Sequence, residues 1–282
     1  MRLLVRMKFK SGFRVGRGNE SDASLPTIHS DTIYGAIVYH AFLWASVNEA
    51  EDFARNLKVS SLLFERDNDL LVPKPMSFNV KAKEKKVKKA SYAFLKKILD
   101  GRPKEEAVCE EEPVEVASVP RNSLDRVTNS SNLYFVEISF AKEGFTPVVI
   151  AEFPDQYEDL FKTSVKSLGD SGIGADNTYG YGVFEAEFDK APSLPTEGKN
   201  YLCLSLFLPS PEEVQRLNEG YYKVIKRRGM KRDQMKVKKE LFYIQEGSVF
   251  PFLPKGRGVL KIDDYFVQTS PICVAFNGGD AA

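Results

Sequence analysis

The chain has 282 residues, which is enough for two domains of ordinary size or one large domain. Its hydrophobic fraction of 43% and charged fraction of 28% are ordinary for a soluble globular protein and exclude a low-complexity chain. Three widely spaced cysteines exclude a disulfide framework or a zinc cluster, and no apolar run approaches the roughly 18–20 residues that span a bilayer. We therefore expect a cytoplasmic protein that has no contact with membranes.

The net charge of +1 hides three strongly basic segments. Residues 2–17 carry six Lys or Arg and no acid, and segments 81–104 and 223–239 each carry a net charge of +8. The rest of the chain is correspondingly acidic. Such segregation is typical of a protein with a polyanion site and a separate acidic surface. The segments could also be solvated faces or disordered loops, but three of them in one chain favour nucleic acid as the partner.

The first 79 residues predict a strand, a long helix and a hairpin. Apolar residues alternate with Arg and Lys over residues 2–10, as in a half-buried strand with a basic outer face. Ser30 fits the N-cap of a wide, well-buried helix, and Asp31 in its first turn is favoured by the helix dipole. A short helix is predicted at 49–58, and a hairpin at 61–73 with its turn at Asp67 and Asn68.

Residues 79–118 swing from basic to acidic, and we interpret them as an irregular, partly mobile excursion from the core. Strands return at 133–140 and 147–153, followed by a helix over 155–168 and a strand at 182–188. Further short strands and one helix follow a Pro-rich linker. Strand-helix-strand units in both halves predict an α+β protein with a domain boundary near residues 190–198.

A glycine-rich loop, LGDSGIGADNTYGYG, lies between the helix and the strand in the middle of the chain. Dinucleotide loops run from strand to helix and phosphate loops end in Gly-Lys-Ser/Thr, so neither pattern applies. Glycines let a backbone approach a ligand closely, and Tyr179 and Tyr181 could stack on bases. The alternative is a tight structural turn whose tyrosines belong to the core.

Catalytic signals are weak. His40 lies in the apolar helix and is expected to be packed there, whereas His29 at the helix entrance could face a phosphate. No acid or base partner for His29 is identifiable in the sequence, and HExxH, GxSxG and CxxC motifs are absent from it. We therefore expect no enzyme activity, no metal and no cofactor.

The segment 121–140, RNSLDRVTNSSNLYFVEISF, contains a short polar turn that runs into a strand. Its TNSSN segment is typical of a hairpin tip. Arg121 and Arg126 flank that turn and could grip a phosphate backbone, although an ordinary surface hairpin would look the same.

Four segments together resemble the RAMP superfamily of CRISPR proteins. In chain order they are LLVRMKFKSGFRVG, PTIHSDTIYGAIVYHAF, RNSLDRVTNSSNLYFVE and GIGADNTYGYGVFE. A weaker match is ELFYIQEGSVFPF with the terminal PICVAFNGG. Within the superfamily, the chain is most similar to the subunits of type III-A (Csm) effector complexes that cap the 5′ tag of the CRISPR RNA.

The resemblance implies two ferredoxin-like (RRM-like) domains. The first, at 1–192, would carry an insertion at about 79–132 with a thumb-like hairpin, and the second would span 198–282. It implies a non-catalytic subunit for antiviral defence that binds the 5′ tag of CRISPR RNA and joins the backbone RAMP subunit to the large polymerase/nuclease subunit. The RNA-facing candidates carried over by position are Arg14, Arg17, His29, Ser30, Arg121, Arg126, Gly172, Gly174, Asn177, Tyr179, Gly180 and Tyr181.

The chain departs from the family at the glycine loop. Family loops often carry Lys or Arg after the second glycine, whereas this chain has Ala175, Asp176 and Asn177. Backbone N–H groups or the Lys-rich segments would then have to supply the affinity.

Three alternatives remain at this point. One is a metal-independent endoribonuclease that cuts precursor CRISPR RNA with His29 as general acid or base. Another is the equivalent subunit of a type III-B (Cmr) complex, and the third is a general RNA-binding protein outside CRISPR systems.

Overall fold

The computed structural model describes residues 1–16, 23–79, 84–230 and 237–278 and confirms an α+β protein. The helices are α1 (Ser30–Trp44), α2 (Val47–Asn56), α3 (Lys85–Lys89), α4 (Leu95–Leu99), α5 (Lys104–Ala107), α6 (Glu158–Ser171) and α7 (Pro211–Gln215). The strands are β1 (Arg2–Phe9), β2 (Lys58–Val59), β3 (Leu63–Arg66), β4 (Asp69–Pro73), β5 (Tyr92–Phe94), β6 (Val114–Leu124), β7 (Ser131–Ala141), β8 (Thr146–Glu152), β9 (Phe184–Lys190), β10 (Asn200–Cys203), β11 (Val224–Arg227), β12 (Leu241–Ile244), β13 (Val249–Phe250), β14 (Val259–Ile262), β15 (Tyr265–Gln268) and β16 (Cys273–Phe276).

A seven-stranded antiparallel sheet forms the centre of the molecule. Its order is β5-β4-β3-β8-β1-β9, with β2 also paired to β8. Strand β1 is bonded on both edges, with Val5 opposite Val149 on one side and opposite Phe188 on the other. The first strand of the chain therefore pairs only with strands more than 130 residues away in sequence, β8 and β9.

The alternation predicted for β1 separates two hydrophobic layers. Leu3, Val5 and Met7 face a cluster formed with helices α1, α2 and α6. Leu4 points to the opposite face and joins a second cluster. A strand buried on both faces needs cover on both sides, because side chains alternate along it.

The second layer corrects the prediction for residues 79–118. Residues 80–83 lie outside the described residues, but from residue 84 onward this segment packs on the sheet instead of leaving it. Val87, Leu95, Ile98 and Ala107 are buried in the cluster that contains Leu4. The segment reads as polar because its helices are only four or five residues long and bury one or two side chains each.

The C-terminal part of the chain, from β10 onward, covers the rest of that layer. Its three-stranded sheet, in the order β13-β10-β16, contributes Leu202, Val249 and Val274 to the same buried cluster. Hairpins β11–β12 and β14–β15 flank it. Over 198–230 and 237–278 the single α-helix is the five-residue α7, so a second complete ferredoxin-like unit, which needs two helices, is not present in these ranges.

Two predicted hairpins form as expected. Asp67 and Asn68 both have positive φ, of 52° and 61°, as the two-residue turn between β3 and β4 requires. The hairpin of β6 and β7 is longer than predicted, with eleven residues in each strand and its turn at 125–130. Among the described residues, no helix combines the length and apolar character needed to cross a bilayer.

The N-terminal turn of α1 fastens the C-terminal part to the sheet. The Arg227 guanidinium donates to both Asp31 oxygens, at 2.9 and 3.1 Å, and the Ser30 hydroxyl accepts from the Leu206 N–H at 3.0 Å. His29 Nδ1 lies 2.7 Å from Glu246 Oε1, with both residues buried. The predicted N-cap role of Ser30 is wrong, because the helix begins at Ser30 and His29 holds the cap position.

We expect Asp31→Asn to lower the free energy of unfolding at pH 7 by about 1–3 kcal/mol, because Arg227 loses a charge-assisted bidentate partner. Burial alone would raise the pKa of Asp31, but the Arg227 charge and its hydrogen bonds outweigh that effect and lower it. The stabilisation by this ion pair is thus fully present above the pKa of about 4 that Asp31 has in the unfolded chain. It is lost as the pH falls through the lower pKa that Asp31 has in the folded protein.

Urea titrations at pH 7 and at pH 3 or below measure this effect. The difference between parent and Asp31→Asn should shrink at the acidic pH. The control is Asp263→Asn, at an exposed turn with positive φ that Asn also adopts. Equal losses in the two variants at pH 7 would contradict a stabilising role of the ion pair.

Candidate nucleic-acid interface

The glycine loop, residues 172–182, docks against the segment that follows β1. The Ala175 N–H donates to the Arg14 carbonyl at 2.8 Å, and the Gly182 N–H donates to the Gly12 carbonyl at 2.9 Å. Arg14 and Gly174 form a parallel bridge, so the loop continues the sheet past the end of β1. The loop is therefore a fixed element of the fold, held by backbone hydrogen bonds at both ends.

Gly174 is required by this docking, and Gly182 is required by the close folding of the loop on itself. A Cβ on Gly174 would lie 2.3 Å from the Arg14 carbonyl oxygen, and a Cβ on Gly182 would lie 2.0 Å from that of Ile173. Both residues have positive φ. The close approach predicted for a ligand is made, at Gly174, by the protein's own backbone. Gly180 differs, because no heavy atom lies within 4 Å of its Cβ position.

Asp176 brings two arginines together. Its Oδ2 lies 2.7 Å from Nη1 of Arg14 and 3.0 Å from Nη1 of Arg121. The side chains of Arg14, Arg121 and Asp176 are only 11%, 13% and 18% exposed, so one carboxylate offsets two guanidinium groups in a largely buried cluster. Arg14 Nε and Arg121 Nη2 have no acceptor among the described residues. The cluster keeps a net positive charge.

Arg121, which lies in strand β6 of the hairpin, also contacts two tyrosines of the glycine loop. The Arg121 guanidinium lies 4.3 Å from the ring centre of Tyr179 and 5.6 Å from that of Tyr181. Burial would lower the pKa of Arg121, but the Asp176 charge and hydrogen bonds to Tyr134 and Tyr181 raise it above its ordinary value. Tyr179 is nonetheless 68% exposed, so it presents an aromatic surface supported from below by a cation.

The structure unites some of the predicted site residues and separates others. It brings together Arg14, Arg121, Gly172, Gly174, Asn177, Tyr179, Gly180 and Tyr181. Arg121 does not project from the hairpin turn as expected, because it lies in β6 opposite Tyr134 with its side chain packed on the loop. Arg126 is exposed in the hairpin turn, and Arg17 lies outside the described residues.

His29 and Ser30 lie elsewhere, at the boundary with the C-terminal part. Both are buried, at 5% and 1% exposure, and their side chains bond to Glu246 and Leu206. The expectation that His29 lacks an acidic partner is wrong. Glu246 is 217 residues away in sequence, and no local motif could have identified it. Among the described residues, no group of three or more His, Cys, Asp or Glu side chains could hold a metal ion.

The cations of the first basic segment that lie in β1 are neutralised by ion pairs. Arg2 pairs with Glu152 at 2.5 Å, Arg6 pairs with Glu65 at 2.5 Å and with Asp189, and Lys8 pairs with Glu187. These acids lie on β8 and β9, which flank β1, and on β3, one strand further along the sheet. The outer face of β1 is therefore not a free polyanion surface.

Two family models together match nearly the whole chain. The family model of the RAMP superfamily matches residues 6–185, and that of the CRISPR Csm4 C-terminal domain matches residues 196–268. A curated relative, "CRISPR system Cms protein Csm4" of Thermococcus onnurineus (strain NA1), is 27% identical over 254 residues, which cover 83% of this chain and 85% of the relative.

Solved structures share the fold. A Csm3-Csm4 subcomplex of the type III-A CRISPR-Cas interference complex contains a chain similar to this one, with a TM-score of 0.70, 19% identity and coverage of 98% of this chain and 100% of that chain. A Csm1-Csm4 cassette in complex with cA4 matches with a TM-score of 0.65, 21% identity and 99% coverage of each chain. A type III-B Cmr-beta complex matches less well, with a TM-score of 0.55, 18% identity and coverage of 88% and 85%.

We expect Gly174→Ala to destabilise the protein by more than Gly144→Ala. Both glycines have positive φ, of 95° and 82°, so each variant incurs a similar strain of about 1–2 kcal/mol. Only at Gly174 does the new methyl group also collide with backbone, because the Cβ position of Gly144 has no heavy atom within 4 Å. Urea titration gives the stability difference, and hydrogen exchange of the Ala175 amide reports undocking of the loop. Equal stability losses with unchanged exchange would contradict the docking argument.

Proposed function

Because the chain belongs to the RAMP superfamily, we propose that it is a non-catalytic, RNA-binding subunit of a type III-A CRISPR (Csm) effector complex that acts in antiviral defence in the cytoplasm. The match of residues 196–268 to the Csm4 C-terminal domain supports a Csm4-type subunit. Similarity along both full chains to the Csm4 partners of Csm3 and of Csm1 supports contacts with a backbone RAMP subunit and with a large subunit. The weaker and shorter match to a Cmr complex makes the type III-B alternative less favoured.

The proposed architecture is a ferredoxin-like first domain with a reduced second domain. The elements β1, α1, β3, β8, α6 and β9 follow a βαββαβ order, and their strands lie in the sheet as β3-β8-β1-β9. This is the antiparallel arrangement expected of a ferredoxin-like unit, and the β6–β7 hairpin is inserted between β3 and β8. The two matched segments end at residue 185 and begin at 196, which supports the boundary proposed near 190–198.

The 5′ tag of the CRISPR RNA is the ligand we assign to the glycine loop. The observation that carries this assignment is the cation-backed ring of Tyr179, exposed beside Gly180 and above the Arg14–Arg121–Asp176 cluster. A ring supported in this way can stack on a splayed base, and the net charge of the cluster attracts the phosphates around it. Arg126 at the exposed hairpin tip adds a second cation along the same hairpin.

Fluorescence anisotropy with tag-bearing RNA tests this assignment. Tyr179→Ala should weaken binding by roughly fivefold or more, since stacking contributes about 1–3 kcal/mol per base, whereas Tyr179→Phe should retain most of the affinity. Trp44→Ala is the matched control, because Trp44 is also an exposed aromatic residue but lies at the end of α1.

The logarithm of the affinity should fall with the logarithm of salt concentration by roughly 0.7 per phosphate contacted. Full affinity in Tyr179→Ala would overturn the assignment. We expect the Tyr179→Ala variant to co-purify with Csm1-type and Csm3-type subunits as the parent protein does.

The isolated protein should not cleave repeat RNA in EDTA. His29, the group that the endoribonuclease alternative requires, is 5% exposed and bonded to buried Glu246, so no phosphodiester can reach it without opening the boundary with the C-terminal part. Gel analysis of labelled repeat RNA measures this directly. Metal-free cleavage that disappears in His29→Ala, with the fold retained by circular dichroism, would establish the enzyme instead.

A further inference from the structure

The β11–β12 hairpin has two chemically different faces. On the inner face, Arg227 bonds to Asp31 at the start of α1, and its neighbours Ile225 and Tyr243 lie opposite each other, with Tyr243 1% exposed. On the outer face, Lys226 lies opposite Phe242. Cross-strand partners point to the same side of a sheet, so Lys226 and Phe242 stand together on the surface.

The outer face combines exposed apolar side chains with cations. Phe242 is 60% exposed, and Val224, two residues before Lys226, is 49% exposed. Two exposed basic residues alternate with Val224 along this part of the chain, Lys226 and Arg228. Glu240 pairs with Lys226 at 3.2 Å, so the two cations and this one acid leave the face with a net charge of +1.

A second aromatic residue extends the same surface. The ring of Tyr222 stacks on that of Phe250, with centroids 6.1 Å apart and planes inclined by 23°. Phe250 belongs to a buried cluster with Ile244, the residue paired with Val224. The Tyr222 ring is therefore held on one side by the core while the residue remains 40% exposed.

We propose that this outer face, defined by Tyr222, Val224, Lys226, Arg228 and Phe242, is a second binding surface for single-stranded RNA. Exposed rings offer stacking for successive bases, and Lys226 and Arg228 beside them hold the phosphates. Unpaired strands are favoured over duplex because the bases of a duplex are already stacked on each other. The charge excess favours a polyanion over a protein partner. None of these residues belongs to the glycine loop, so the inference stands independently of the tag assignment.

The test uses the full chain and a labelled, unstructured RNA of about 12 nucleotides that lacks the tag sequence, within the usual site size of such surfaces. Phe242→Ala and Phe242→Leu should each weaken binding by roughly fivefold or more, and Phe242→Trp should preserve it. Lys226→Ala with Arg228→Ala should reduce the salt dependence by a slope of roughly 1.4. A duplex of the same sequence should be insensitive to the Phe242 variants.

The matched control is Lys88→Ala with Lys89→Ala, which removes two exposed charges from α3. Equal losses in the two double variants would mean that binding follows net charge alone and would overturn the proposal. Ultraviolet crosslinks should map to the segment around Tyr222 and Phe242. Crosslinks confined to residues 172–182, with binding lost in Tyr179→Ala but kept in Phe242→Ala, would also overturn it and would leave the tag assignment intact. Loss of the large subunit in Phe242→Ala with unchanged RNA affinity would show a protein-docking face instead.

Discussion

Strand β1 imposes the constraint on which the rest of the molecule depends, because it is bonded on both edges, covered on one face and covered at Leu4 on the other. Its odd-numbered residues require the helical layer of α1 and α6, and Leu4 requires a second layer. The short helices after residue 84 and the C-terminal sheet together supply that second layer, through residues such as Ile98, Leu202 and Val274. The two parts of the chain are thus coupled through a shared core, and the residues at their boundary must satisfy their polar groups without water.

This requirement explains the HSDT sequence at the start of α1. His29, Ser30 and Asp31 each bond to a residue beyond position 200, so the motif that resembles a nucleic-acid contact in the sequence joins the two parts of the chain. The glycine loop likewise combines contacts that hold the fold together with a surface that faces outward. Gly174 is glycine because the loop approaches the Arg14 backbone there, Gly182 because the loop folds closely onto its own Ile173 backbone, and Asp176 balances Arg14 and Arg121. What the loop presents outward is therefore the Tyr179 ring rather than its own charge.

The sequence was a good guide wherever the signal was local. The alternation of β1, the turn at Asp67 and Asn68, and the glycine loop between a helix and a strand all follow from neighbouring residues, and each is confirmed. The errors arise where partners are distant. The packing of residues 84–118, the partner of His29 and the burial of Arg121 depend on contacts made across the sheet or across the chain. A single sequence contains no periodicity that reports such contacts.

Charge density in the sequence is a poor measure of surface potential for the same reason. Arg2, Arg6 and Lys8 stand on a central strand, so the acids of neighbouring strands lie within ion-pair distance and neutralise them. Strand β11 belongs to a two-stranded hairpin with β12 as its partner, and its outward residues meet Glu240 as their acidic neighbour. Position in the sheet, rather than the number of lysines, thus decides which basic segment remains available to a polyanion. A hairpin that is bonded to α1 on its inner face keeps Lys226 and Arg228 exposed on its outer face while holding Phe242 beside them.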